Sequence, residues 1–215
     1  MQVDFYFSFR SPYSYLAAAQ AEALVAEWEL DFVIRVVRPI AVRVPGFFQT
    51  VNPLWPPYLF RDTTRIAERL GLPYRWPSPD PIVQDRSTGE ISDDQPHIGR
   101  LSRAGVLAAE RGKGLAYVRS VSRAIWSGTI NDWHLGDHLA LAAAEAGLDG
   151  AELERTAASE QARLDAQLIA NEIAQAESGH WGVPLFLFEG EPFFGQDRLP
   201  DLVWRMQQRG LVARE

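Results

Sequence analysis

Strand-like runs occupy only the two ends of this chain, and that distribution limits the folds open to it more than any other feature. Residues 3–9 are rich in Val, Phe and Tyr, which suit a half-buried pleated surface. A second strand is expected over 32–37, Phe32-Val33-Ile34-Arg35-Val36-Val37, stopped by Pro39. Near the other end, Pro184 to Phe188 form an apolar run. Glu189-Gly190-Glu191 then signals a turn, and Pro192-Phe193-Phe194 starts a return strand. Between the first two strands, Tyr13, Leu16, Leu24 and Trp28 recur at helical spacing over 12–28. Ser11 suits the N-cap of that helix. Pro12 suits its first position, because the N–H it lacks would be unpaired there anyway.

The middle reads as loop and helix. Five prolines fall within 39–57, so an irregular loop walling a pocket is expected there. A helix is expected over 58–70 with Gly71 as its stop, and 72–100 reads as loop. Further helices are expected at about 101–111, 115–127, 137–146, 150–158 and 160–178, with glycines 112, 128, 147 and 179 as stops. A last helix spans 197–209. The order is therefore β-α-β, a long helical block, then β-β-α. One sheet built from both chain ends is the economical solution. Residues 1–40 with 180–215 then form one discontinuous domain, and 41–179 form a loop and helical insertion.

Composition excludes several kinds of chemistry. The chain has no cysteine, so a disulfide, a thiolate metal site and a thiol nucleophile are ruled out. Any thiol chemistry needs a thiol brought by a ligand. Net charge is -7, and no basic stripe marks a nucleic-acid surface, so no nucleic-acid partner is expected. No apolar stretch reaches the roughly 18 residues of a membrane span. The opening run is too short and too acidic for a signal peptide, so a cytoplasmic protein is expected. His134 and His138 are spaced to share a helical face, but no Glu lies between them, and no metal site is expected. Trp126 and Trp133 read as core or interface residues rather than as a substrate platform.

This order is that of an α/β thioredoxin-like fold with a large all-helical insertion between the second and third strands. Three local features agree with it. Ser11-Pro12-Tyr13-Ser14 stands where thioredoxin-like oxidoreductases carry Cys-x-x-Cys. Gly182-Val183-Pro184 stands where the fold places a cis-proline. Phe194-Gly195-Gln196-Asp197-Arg198-Leu199 opens the last helix. Together with Tyr58-Leu59, Asp62, Arg65 and Gly71-Leu72-Pro73, the chain resembles the 2-hydroxychromene-2-carboxylate isomerases and kappa-class glutathione transferases, both relatives of the DsbA oxidoreductases. In one segment it departs from the isomerases: they carry lysines after the second strand, and none occurs here between Arg43 and Arg61.

The resemblance implies glutathione as cofactor and a small aromatic carboxylate as substrate. It implies cis–trans isomerisation of a hydroxylated aromatic pyruvate, and a homodimer. Ser11 would hold the glutathione sulfur. Pro12, Tyr13, Asn52, Val183, Pro184, Phe194, Gly195, Gln196 and Asp197 would line the glutathione site. Arg35, Arg38, Arg43 and Arg61 are candidates for the substrate carboxylate. Glutathione transfer to electrophiles, and peptide binding without catalysis, stand as alternatives.

Overall fold

Phe5 lies against three aromatic rings at once: Phe186 at 4.6 Å, Phe7 at 5.7 Å and Phe32 at 5.9 Å between ring centres. Those rings come from three strands drawn from both ends of the chain. The computed structural model describes residues 1–214. In it β1 (Gln2–Phe7) and β2 (Asp31–Val36) flank α1 (Pro12–Glu27). Short helices α2 (Ile40–Arg43) and α3 (Phe47–Thr50) and the longer α4 (Trp55–Leu70) follow. The helical block comprises α5 (Pro96–Glu110), α6 (Gly114–Trp126), α7 (His138–Glu145), α8 (Gly150–Ser159) and α9 (Gln161–Glu177). The chain then returns as β3 (Leu185–Phe188), β4 (Glu191–Phe194), a 3-10 turn Gln196–Arg198 and α10 (Leu199–Gln207).

The sheet order is β2-β1-β3-β4. β1 and β2 run parallel, and the other two pairings are antiparallel. One face carries Phe5, Phe7, Phe32, Ile34, Val36 and Phe186 into the main core, where Leu202 and Met206 of α10 join them. The opposite face carries a smaller cluster of Tyr6, Val37 and Leu185. The Ala-rich buried side of α1, with Ala17, Ala18 and Ala21, allows close approach to the sheet and to α6. The fold is thus the α/β thioredoxin-like architecture with its helical insertion.

Element ends differ from expectation in instructive ways. The first strand stops at Phe7, not at residue 9, because the Ser11 N–H bonds the Ser8 carbonyl at 3.0 Å and turns the chain. The proline-rich stretch 39–57 contains two single-turn helices, and α4 begins at Trp55 with Pro56 and Pro57 inside it. Prolines in a first turn remove only N–H groups that have no helical partner. For the same reason α5 starts at Pro96, five residues before the expected 101. The expected last helix splits, with the 3-10 turn preceding α10. His134 lies in a turn ahead of α7, so it does not share a helical face with His138. Its ring packs instead on His97, 4.8 Å away between centres.

Trp126 is fully buried. Its indole N–H donates to the Phe9 carbonyl at 2.9 Å, and its ring stacks on Tyr74 at 5°. That bond fastens the end of α6 to the turn that leads into α1. No helix among the described residues is long and apolar enough to cross a membrane.

Candidate functional site

Ser11 caps α1 in an extended conformation, with φ -91° and ψ 116°. Its Oγ accepts the Ser14 backbone N–H at 3.2 Å. The hydroxyl proton is therefore left to donate elsewhere. Pro12 has no N–H and the Tyr15 N–H bonds the Ser11 carbonyl, so among the described residues the helix end offers the Tyr13 N–H as its free donor, with about half a positive charge. Ser14 is fully buried, and its hydroxyl has no hydrogen-bond partner among the described residues. Serine thus occupies both positions of the Cys-x-x-Cys pattern, one at the helix cap and one inside.

The second component arrives through β3. Its antiparallel register pairs Tyr6 with Leu185. Continued by two residues, that register sets Pro184 beside Phe7 and Val183 beside Ser8, three residues before Ser11. The Val183–Pro184 peptide is cis. Among the described residues, neither the N–H nor the C=O of Val183 makes a backbone hydrogen bond outside the strands and helices. The Pro184 carbonyl is occupied by the Gly195 N–H at 2.9 Å, which holds Phe194 and Gly195 next to this strip.

Gly195 has φ 106°, open to glycine alone, and a Cβ there would lie 2.4 Å from Asp197 Oδ1. The Asp197 carboxylate therefore folds back over the turn, and Arg198 reaches it at 2.9 Å. Gln196 is buried, and its Oε1 accepts from Gln20 of α1 at 2.9 Å. Gln20 also bends back to the Leu16 carbonyl. The 3-10 turn therefore docks on α1 at the level of Leu16, roughly 8 Å along the axis from Ser11. Gly182 is fixed by close approach, since a Cβ there would lie 2.5 Å from the Phe194 ring.

Other expected residues are engaged differently. The Tyr13 hydroxyl donates to Asp62 Oδ2 at 2.8 Å, and burial with that contact pushes its pKa up. Burial raises the Asp62 pKa, but donors from Arg65 and Tyr13 outweigh it and hold the carboxyl below the usual range. Asn52 is exposed, and its Oδ1 accepts the Leu54 N–H at 3.0 Å, forming the turn into α4. Of the four arginines, Arg35 pairs with Asp4 on the sheet face, in a depression it shares with Val33 and Leu187. Arg38 forms a fork on Glu172 of α9, which holds its pKa up. Arg61 is exposed, and among the described residues it bonds only the Pro57 carbonyl. Arg43 touches Gln175 and the Trp181 carbonyl.

Two features carry no sequence signal of their own, an ion pair and an aromatic wall beside the cap turn, whereas His180, ahead of the Gly182-Val183-Pro184 motif, reads equally as a cleft or a loop-end residue. Arg10, directly before Ser11, makes a two-pronged ion pair with Asp80, both bonds 3.1 Å. Its guanidinium lies over the Phe48 and Trp76 rings, at 5.4 and 5.2 Å. Phe60 packs on Trp76, so α3, α4 and the following loop build an aromatic wall beside the cap turn. His180 stacks on Phe194 at 3.9 Å between centres, and its Nδ1 accepts the Gly182 N–H. A charged residue at the end of an apolar run was the one available signal for Arg10. Its partner, 70 residues away, carries none.

The two partly buried histidines have a measurable consequence. Burial lowers the pKa of His180, and burial with His134 and Arg100 nearby lowers that of His97. The unfolded chain, with imidazoles near pKa ~6.5, therefore binds more protons than the folded one. Stability from this source is fully present above that value and falls as pH drops through it. Urea midpoints are expected to decrease modestly from pH 7.5 to 5.5. A His97→Gln/His180→Gln variant is expected to flatten that slope, and an unchanged slope would contradict the assignment.

Comparison with known proteins gives a consistent outcome. The model of the DSBA-like thioredoxin domain matches residues 2–207. The chain is similar to a solved 2-hydroxychromene-2-carboxylate isomerase at 26% identity, with a TM-score of 0.69, over 97% of this chain and 95% of that one. A probable DsbA oxidoreductase from Streptomyces coelicolor shares 21% identity and a TM-score of 0.67, over 97% and 89% of the two chains. A cytosolic disulfide reductase, DsbM from Pseudomonas aeruginosa, solved with glutathione, shares 19% identity and a TM-score of 0.58, over 97% and 100%. No curated protein sequence matches the chain.

Proposed function

Because the chain belongs to the DSBA-like thioredoxin-domain family, we propose that it performs thiol chemistry with a borrowed thiol, that of glutathione, as a cis–trans isomerase of a hydroxylated aromatic pyruvate. One observation carries this reading. A chain without cysteine keeps a serine at the helix cap, its oxygen already accepting from Ser14 and its proton left to donate. Such a group stabilises a ligand's thiolate and forms no disulfide with it. Unpaired Val183 matches the backbone of an extended peptide, as in strand addition. Asp197 at the 3-10 turn suits the γ-glutamyl ammonium. Aromatic rings of Phe48, Phe60 and Trp76 suit a planar substrate.

In the reaction, the thiolate adds to the conjugated carbon and the electron pair moves onto the carbonyl oxygen. The former double bond rotates as a single bond. Return of the electron pair expels the thiolate, so glutathione is regenerated. Ser11 donates to the sulfur before addition and after expulsion, when it carries charge. Likeness to the isomerase structure supports the choice of reaction over simple conjugation.

Calorimetry tests the first half. Glutathione is expected to bind in the micromolar to millimolar range, and no heat at millimolar glutathione would rule the reading out. The ultraviolet spectrum of 2-hydroxychromene-2-carboxylate tests the second. A change that requires only catalytic glutathione supports isomerisation, whereas stoichiometric consumption would replace it with transfer.

A further inference from the structure

Partnering of the cations sets one of them apart. Among the described residues, Arg61, Arg69, Arg75, Arg155, Arg214 and Lys113 have no ion-pair partner, and every one is exposed. Arg43 also has none, yet it is half-buried at the end of α2. Its Nε is shut off from solvent and makes no hydrogen bond. Nη1 reaches Gln175 and Nη2 reaches the Trp181 carbonyl, both at 3.3 Å. Burial lowers its pKa, partly offset by the charge of Glu172, while neighbouring Arg38 adds to the lowering.

Local charges leave one positive charge in excess. Glu172 is taken by Arg38, through both its side chain and its backbone N–H. Asp165, on the same helix, is taken by Arg103. A half-buried guanidinium with no counter-ion is costly unless an anion joins it. Its position says where that anion comes from. Gln175, which holds Arg43, also donates to the Gly182 carbonyl at 2.7 Å, so one buried side chain fixes both Arg43 and the peptide leading into Val183.

We propose that Arg43 is the carboxylate-binding residue of this site, taking a carboxylate of a ligand that lies along Val183. The inference rests on the reading above in treating Val183 as a ligand-binding strip. Two ligands carry the required group: the C-terminal carboxylate of a peptide thiol, and the carboxylate of an aromatic 2-oxo acid. Arginine presents two parallel N–H groups to either.

Calorimetry with wild type, Arg43→Gln and Arg43→Lys tests it, using glutathione, glutathione monoethyl ester (blocked at the glycine carboxylate) and phenylpyruvate. Arg43→Gln is expected to weaken at least one free carboxylate ligand about 10- to 100-fold, and Arg43→Lys less. Ester binding is expected to stay within threefold. Weakening of glutathione alone assigns the peptide carboxylate. Weakening of phenylpyruvate alone assigns the substrate carboxylate. If Arg43→Gln binds all three as wild type does, or loses all three equally, Arg43 only braces the loop and the proposal fails. It fails too if wild type binds none of them. Arginine-dependent phenylpyruvate binding without any glutathione binding would overturn the proposed function and leave this assignment standing.

Discussion

Ser11→Ala is expected to reduce glutathione-dependent turnover about 100- to 1,000-fold, the range for removing one hydrogen-bond donor aimed at developing charge, or ~2.7–4 kcal/mol, here the charge that returns to sulfur as the thiolate is expelled. The Ser11 oxygen already accepts from Ser14 at 3.2 Å, which polarises the hydroxyl and orients its proton outward. With alanine, the sulfur keeps the helix end but loses that donor. The cap is lost as well, at roughly 0.5–2 kcal/mol of stability. Ser11→Asp separates the two effects, since it keeps an oxygen for the Ser14 N–H and brings a negative charge to the thiolate. It is expected to fold as well as wild type and to be at least as inactive as alanine. Turnover of Ser11→Ala within threefold of wild type, measured with saturating glutathione, would remove Ser11 from the chemistry.

Asp80→Ala is expected to destabilise the fold by about 3–5 kcal/mol, the usual cost of breaking a buried pair from one side. Only 15% of the Arg10 side chain and 7% of the Asp80 side chain are exposed, so water cannot replace the missing partner. Asp80 also accepts from Trp76, Gln84 and the Ile82 N–H, and each of those donors is orphaned with it. Arg86 is 4.0 Å from the carboxylate and mostly exposed, so its loss of a partner adds little. The double variant Arg10→Met/Asp80→Leu is expected to regain only the part of the loss that comes from the unpaired Arg10 charge, because the Trp76, Gln84 and Ile82 donors still lack their acceptor. Urea denaturation of wild type and these two variants measures this. A loss below ~1 kcal/mol in Asp80→Ala would show that the pair is not buried in solution. Since Arg10 adjoins Ser11, the single variant is also expected to loosen the cap turn and weaken glutathione binding.

Much of the architecture was legible because local chemistry and tertiary structure agree at the chain ends. Ser11 and Pro12 begin α1 where their side chains dictate, and the Glu189-Gly190 turn sits between β3 and β4. Proline hides two helix starts, at Trp55 with Pro56 and Pro57 behind it and at Pro96, because a residue that breaks a helix interior is also suited to its first turn. Within the candidate site, the Ser11 helix cap and the cis peptide after Val183 were legible from their motifs. The ranking of the four arginines was not, since it depends on Asp4, Glu172 and Gln175, which lie 31 to 134 residues away. Gln196 shows the same limit. Its side chain is spent on Gln20 of α1, a contact across 176 residues.

The strand order also bears on how the protein is made. β1 is an inner strand, and its second neighbour is β3. Ser11 leaves the ribosome about 170 residues before Val183. At 5–20 residues per second that is roughly 10–30 s. Through that interval one side of β1 has no partner, and bare strand edges invite pairing with other chains. The helical block is synthesised in the meantime, and α5 and α6 pack directly on β2. A growing chain can therefore shelter its first half on its own helices. The proposed glutathione strip at Val183 forms only once β3 has been made.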